Sequence, residues 1–278
     1  MDHNRQKKIA VINDFSGFGR CSIAVSLPII SAMGIQCCPL PTAIFSNHTG
    51  FDSFYWTDFT DHMEDYAQQW AKLDLQFQGI ATGFLGSVRQ IDLVQRFLER
   101  FDRQETTVLV DPVMGDNGSL YPTYTRELAE NMARLVGYAD ILTPNLTEAC
   151  VLTGTEYKPL PEEEELLEMC QKLSALGPEK VVISGLDYGS TLGNFIFETG
   201  KPHQLLKVPK EGICRSGTGD VFAAILIADA VNGNSFPDGV HKAATFISHA
   251  LERTDALQIP RTDGIAFEEL LGELIPKQ

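Results

Sequence analysis

The sequence predicts an α/β fold in one domain: a central, mostly parallel β-sheet with helices on both faces. Short apolar runs of strand character alternate with helical stretches of ten residues or more, the pattern of successive βαβ units. Such strands are covered on both sides, which their compact apolar character suits. No Pro/Ser/Gly-rich linker, low-complexity tract or fixed-period repeat divides the 278 residues, so residues 1–278 read as a single domain with ample length for a core.

Taken in order, residues 9–12 form a first apolar strand and 23–33 follow with helical spacing. Cys37-Cys38 lies in a further apolar strand, where thiols pack rather than react. Residues 79–83 precede a helical pattern over 88–101. Strand runs at 108–110, 141–142 and 181–183 end at Asp111, Pro144 and Ser184, with long amphipathic stretches between them. PEEEE at 161–165 reads as a proline-started helix whose acidic first turn complements the macrodipole. From 191 to 208 the rhythm breaks into a β-hairpin or meander. His241 and His249 fall on a late helix with no ligand partner at i+4, so no metal site is expected there.

The chain carries 22 Lys and Arg against 37 Asp and Glu, a formal net charge of −15, which argues against a nucleic-acid or anionic-membrane surface. Six cysteines (Cys21, Cys37, Cys38, Cys150, Cys170, Cys214) show no CxxC or zinc-type spacing. With no signal peptide at MDHNRQKK and no bilayer-length apolar run, a cytoplasmic protein with reduced thiols is expected.

In an open α/β sheet, ligands gather beyond the carboxyl ends of the strands. Those ends carry Asn13-Asp14, Thr82-Gly83, DPVMGDNG (111–118), TPNLTE (143–148) and SGL (184–186). No GxxxxGK[ST] occurs, which excludes a P-loop enzyme, and Ser22 stands where the third glycine of GxGxxG belongs. SGTGD at 216–220 runs straight into VFAAILIADAV, so a glycine turn delivers one carboxylate to the start of an apolar helix. Its glycines admit close approach of an anion, and the helix N-terminus favours negative charge. Asp220 would then sit where it can accept a proton from an attacking hydroxyl. A glycine turn capped by aspartate is the plain alternative.

FSNHTG (45–50), TGFLGS (82–87), DPVMGDNG, ADILTPNLTEA (139–149) and SGTGD together resemble the ribokinase-like small-molecule kinases. Within them the chain resembles the pyridoxal kinases, which phosphorylate the 5′-hydroxymethyl group of vitamin B6 compounds. The motifs fall in the family's order over about 210 residues, a span that takes in most of a domain of this length. The resemblance implies a three-layer αβα sandwich, ATP as co-substrate, Mg²⁺, K⁺ as a further cation the family admits, and a homodimer.

Carried over by position, it implies Asp220 as catalytic base, also touching substrate, and the amides of Gly217, Thr218 and Gly219 as an anion hole. Asn145 and Glu148 would position Mg²⁺ through water, with Asp111 near the ATP phosphates and cation. Ser184 and the region of Val208 would contact the nucleotide. Asp14, His48, Thr49 and Gly50 would line the pyridine pocket, and Phe84 would pack on the ring. Residues 113–121 would form a mobile flap. From the residues alone, Asn145 serves equally as a helix N-cap, Glu148 as an exposed helix-start carboxylate, and Phe84 as core.

Two positions depart from the pattern. Many pyridoxal kinases carry a small hydroxyl residue in place of Asp14 and a tyrosine in place of Phe84. Asp14 with FSGFG resembles instead the hydroxymethylpyrimidine kinases of thiamine synthesis, which typically have cysteine in place of Asp220. That is the competing enzyme reading. A pyridoxal-phosphate carrier or sensor without turnover is the alternative of another class, and intact Asp220, Asn145 and Glu148 speak against it. If Asp14 faces the ring, its carboxylate would favour the protonated amine of pyridoxamine over the aldehyde of pyridoxal.

Overall fold

The computed structural model describes residues 2–101, 104–121, 124–213 and 215–276, so Cys214 lies outside the described residues. Its first strand, β1 (Lys8–Phe18), outruns the apolar segment that announces it and continues through Asn13-Asp14 into FSGF. After α1 (Ser22–Ala32), β2 (Gln36–Asn47) pairs parallel to β1 along this whole length, with a register shift between Asn13 and Phe15. The short β3 (Trp56–Asp58) adds antiparallel to the far end of β2. Then come α2 (Thr60–Lys72), β4 (Gly79–Thr82), α3 (Val88–Phe101) and β5 (Thr107–Val110).

A hairpin, β6 (Gly115–Asp116) and β7 (Ser119–Leu120), stands apart from the main sheet. The remainder is α4 (Arg126–Val136), β8 (Ile141–Leu142), α5 (Leu146–Thr153), α6 (Glu163–Ser174), β9 (Lys180–Asp187), β10 (Thr191–Glu198) and β11 (Gln204–Pro209), then α7 (Thr218–Asn232), α8 (Phe236–Ala256) and two 3-10 turns, Arg261–Asp263 and Glu268–Leu274. Among the described residues nine strands form one sheet in the order β11-β10-β9-β8-β5-β4-β1-β2-β3. It is parallel from β9 through β2 and antiparallel at both edges.

Strand alternation sorts the core into two layers. Ala10, Ile12, Val108, Val110, Val181 and Ile183 face one cluster with residues of α2 to α6. Ile9, Val11, Leu109, Ile141 and Val182 face a second with α1, α7 and α8. Both faces are therefore covered, which a parallel sheet requires, and burial of each aliphatic contributes about 1.5–3 kcal/mol. α7 is apolar on all sides because it lies between the sheet and its helical neighbours.

PEEEE differs in detail from its reading: Pro161 precedes the N-cap, Glu162, whose side chain and that of Glu165 form a reciprocal capping box, so α6 begins at Glu163. Residues 113–121, expected as a flap, contain an ordered hairpin. Asn117 and Gly118 both have positive φ, +51° and +78°, as a two-residue hairpin turn of Asn-Gly type demands. The hairpin is tied down, as described next.

Candidate active site

The carboxyl ends of β1, β4 and β5 meet the start of α7 around a recess that includes Asn13, Gly83, Asp111 and Asp220. Gly217, the N-cap of α7, has φ +90°, and a side chain there would collide with the Arg20 carbonyl oxygen. It offers no side-chain cap, so the amides of Thr218 and Gly219 keep the anion-binding capacity of a helix N-terminus. The turn is braced from behind. Buried Arg215 donates to the carbonyls of Ile259 (2.8 Å) and Pro260 (3.0 Å) and to Asp255 Oδ1 (2.9 Å).

Asp220 is half-buried at this point, and its carboxylate accepts from Asn13 Nδ2 (3.0 Å) and from the Ser22 backbone N–H. Burial pushes it up to about 6 against the pull of the Ser22 donor, with the nearby Asp14 charge adding to the rise. Asn13 went unassigned in the sequence, yet its amide is engaged through both its oxygen and its nitrogen. Oδ1 accepts from the backbone N–H of Asp14 (2.9 Å) and of Phe84 (2.9 Å) while Nδ2 holds the base. Only glycine fits at 83, since a Cβ there would overlap the Asn13 amide. An asparagine at a strand end carries no signal that separates this role from an ordinary turn.

Asp14 does not face an open pocket. It is buried, with Oδ1 accepting from Ser22 Oγ (2.5 Å) and Oδ2 from Ser16 Oγ (3.2 Å), and desolvation raises its pKa despite those hydroxyls. The condition for a pyridoxamine preference is therefore not met. His48 is also committed: Nε2 lies 2.6 Å from the Thr262 carbonyl oxygen and Nδ1 accepts from the Gly50 N–H (3.1 Å). Because a carbonyl only accepts and an amide only donates, the proton sits on Nε2. Thr49 and Gly50 are exposed beside it. Phe84 is half-buried, its ring edge-on to Tyr124 at 6.4 Å and packed on the core, and Thr42 Oγ1 donates to its carbonyl (3.0 Å).

Glu148 is buried rather than exposed. Its oxygens accept from the N–H groups of Asn145 (2.9 Å) and Met114 (3.0 Å), and the Glu148 N–H in return donates a capping bond to Asn145 Oδ1 (3.0 Å). Asn145 Nδ2 also donates to the Gly115 carbonyl (2.8 Å), and Thr147 Oγ1 accepts from the Gly118 N–H (2.9 Å). The start of α5 thus fastens the hairpin. Burial pushes Glu148 up to about 8, outweighing its backbone donors. Asp111, beside Gly219, is raised by burial first and then by the charges of Glu148 and Asp220.

The structure therefore brings Asp14, Asp111, Glu148 and Asp220 into one electrostatic cluster. Ser184 joins its margin, its N–H bonded to the Pro144 carbonyl (3.0 Å) opposite Asn145. Val208 does not join it: half-buried on β11, it pairs with Leu192 at the outer edge of the sheet.

A parallel sheet whose strand ends face an uncapped glycine turn, with one restrained carboxylate beside it, defines a small-molecule kinase of the ribokinase-like class. Residues 23–265 match the sequence model of the family described as phosphomethylpyrimidine kinase, and the chain belongs to that family, in its pyridoxal kinase branch. A pyridoxal kinase from Arabidopsis thaliana is 33% identical over 233 residues, 80% of this chain and 73% of its own. A crystal structure of a candidate phosphomethylpyrimidine kinase from Bacteroides thetaiotaomicron, in a form with pyridoxal, superposes with a TM-score of 0.94 at 37% identity, covering 99% of this chain and 98% of the other. Pyridoxal kinase from Lactobacillus plantarum superposes with a TM-score of 0.89 at 26% identity over 96% of each chain.

Proposed function

We propose that this protein transfers the γ-phosphoryl group of ATP to the 5′-hydroxymethyl oxygen of vitamin B6 (pyridoxal, pyridoxine or pyridoxamine), giving the 5′-phosphate. The observation that carries this is Asp220, a carboxylate held by Asn13 at the uncapped start of α7, in a chain 37% identical to a protein whose crystal form contains pyridoxal. Its carboxylate accepts the hydroxyl proton as the oxygen attacks, and the amides of Gly217, Thr218 and Gly219 balance charge on the moving phosphoryl group. Asp111 would stand near the ATP phosphates and cation, Ser184 would contact the nucleotide, and residues near Val208 would wall the adenine.

Among the described residues no three His, Cys, Asp or Glu side chains converge as a metal-ligand group. Magnesium that keeps most of its water shell fits such a site: Asn145 and Glu148, whose oxygens are engaged by backbone N–H groups, would meet it through water, with Asp111 close by. When bound, Mg²⁺ neutralises phosphate charge. Those three residues would hold it, and the same acidic cluster would tolerate K⁺ close by. The reading includes a cytoplasmic homodimer, as the family resemblance implies. No helix among the described residues is long and apolar enough to cross a membrane.

The family also takes in hydroxymethylpyrimidine phosphorylation, and FSNHTG with Asp220 favours vitamin B6. An ATP-consumption assay across the B6 vitamers and hydroxymethylpyrimidine tests the reading. Turnover with a B6 vitamer is expected; turnover with the pyrimidine alone would replace it, and none with either would favour a carrier.

A further inference from the structure

We propose that Asp14 is a positioning residue, which sets the catalytic carboxylate through Asn13 and Ser22 and does not itself touch the substrate. This rests on the kinase reading above. Besides its own backbone N–H, Asp220 accepts from Asn13 and Ser22, and Asp14 bonds to both of these residues. The Asp14 backbone N–H binds Asn13 Oδ1 at 2.9 Å, which turns Nδ2 of the same amide toward Asp220 at 3.0 Å. Its Oδ1 accepts from Ser22 Oγ at 2.5 Å, and the backbone N–H of Ser22 also serves Asp220.

Ser22 shows why a carboxylate is needed. Its φ is +55°, a left-handed conformation that a residue with a Cβ adopts only when its surroundings enforce it. The charge-assisted bond from Oγ to Asp14 is that enforcement. The bulge between Asn13 and Phe15 interrupts the β1–β2 ladder at Asp14 itself, so its side chain turns back toward the start of α1. Two successive residues thereby act on the base from different sides: Asn13 directly and Asp14 by way of Ser22.

The test is a set of variants assayed by steady-state turnover, with pyridoxal and with hydroxymethylpyrimidine in parallel, so that a wrong substrate assignment shows in the parent and a wrong inference in the variants. Ser22→Ala loses the bond that holds the left-handed backbone, and kcat is expected to fall about five- to thirtyfold with KM for both substrates little changed. Ser22→Gly adopts positive φ freely and is expected to recover most of that loss. In an Asp220→Asn background, Ser22→Ala is expected to cost nothing further, because the group it positions is gone. Asp14→Asn keeps the backbone donor and shape and is expected to lower kcat two- to fivefold, about the effect of a neutral acceptor in place of a charged one, without raising the vitamer KM. Thermal melts accompany each variant. Ser22→Gly as impaired as Ser22→Ala, losses that multiply in the Asp220→Asn background, or a vitamer KM raised by Asp14→Asn would each overturn the proposal.

Discussion

At the scale of the residue, the account turns on the proton held at Asp220. A base must be ionised to act, and burial places this carboxyl at about 6. The rate is therefore expected to fall as pH drops through about 6, in a kcat/KM profile measured with saturating ATP. Asp220→Asn is expected to lower kcat by roughly 10²–10⁴ with ATP affinity nearly kept. The same substitution has a signature in stability. Folding raises the Asp220 pKa, so the native state takes up its proton before the unfolded chain does; the cost of the buried charge is present in full above about pH 6 and relieved as pH falls toward the ordinary carboxylate value. Asp220→Asn is thus expected to melt higher than the parent at pH 8 and equally near pH 4. Glu148→Gln acts in the opposite sense. Each Glu148 oxygen accepts a backbone N–H, so an amide there faces one donor with another, and a loss of about 1–3 kcal/mol is expected in a denaturant melt. The place of Asp220 at the start of α7 was legible because SGTGD runs directly into an apolar helix; its role as base rests on the family resemblance. Burial of Glu148 was not, because a carboxylate in the first turn of a helix is normally solvated and its partners, Met114 and Gly115, come from a distant hairpin.

At the scale of the element, the start of α7 depends on a fit of backbone to backbone. Gly217 meets the Arg20 carbonyl, so Gly217→Ala must displace either the turn or the segment before α1. A kcat loss of at least tenfold is expected with the melting temperature lowered by several degrees, since two backbone segments must separate. Strands at 108–110 and 141–142 were readable within a residue because an apolar run stops at a polar one, whereas the strand read at 181–183 continues through Ser184 to Asp187 on its pairing with β10. The 191–208 segment was readable because β-type residues surround Gly200, which has φ +78°. The continuation of β1 through Asn13 to Phe18 was not. Its polar and glycine residues read as a loop, and pairing with β2 overrides that preference. The 113–121 hairpin was hidden likewise, since two-residue strands have no periodicity to detect and their anchors lie in α5.

At the scale of the whole molecule, the segment from Ile259 to Asp263 links the two sides of the site. Its carbonyls receive Arg215 from the glycine turn at Ile259 and Pro260, His48 from the FSNHTG loop at Thr262, and Arg20 at Asp263. Nothing in IPRTD announces this, because the interactions use backbone carbonyls that any sequence supplies. Arg215→Met keeps the buried stem and removes three hydrogen bonds; it is expected to raise KM for ATP several-fold and lower the melting temperature, measured by initial rates and calorimetry. The central claim, transfer of phosphate to vitamin B6, is tested most directly by mass-spectrometric product analysis of purified protein incubated with ATP, Mg²⁺ and an equimolar mixture of pyridoxal, pyridoxine, pyridoxamine and hydroxymethylpyrimidine. The account predicts that 5′-phosphates of the B6 vitamers form first and that Asp220→Asn suppresses them. Preferential formation of the pyrimidine phosphate, or B6 phosphates formed undiminished by Asp220→Asn, would contradict it.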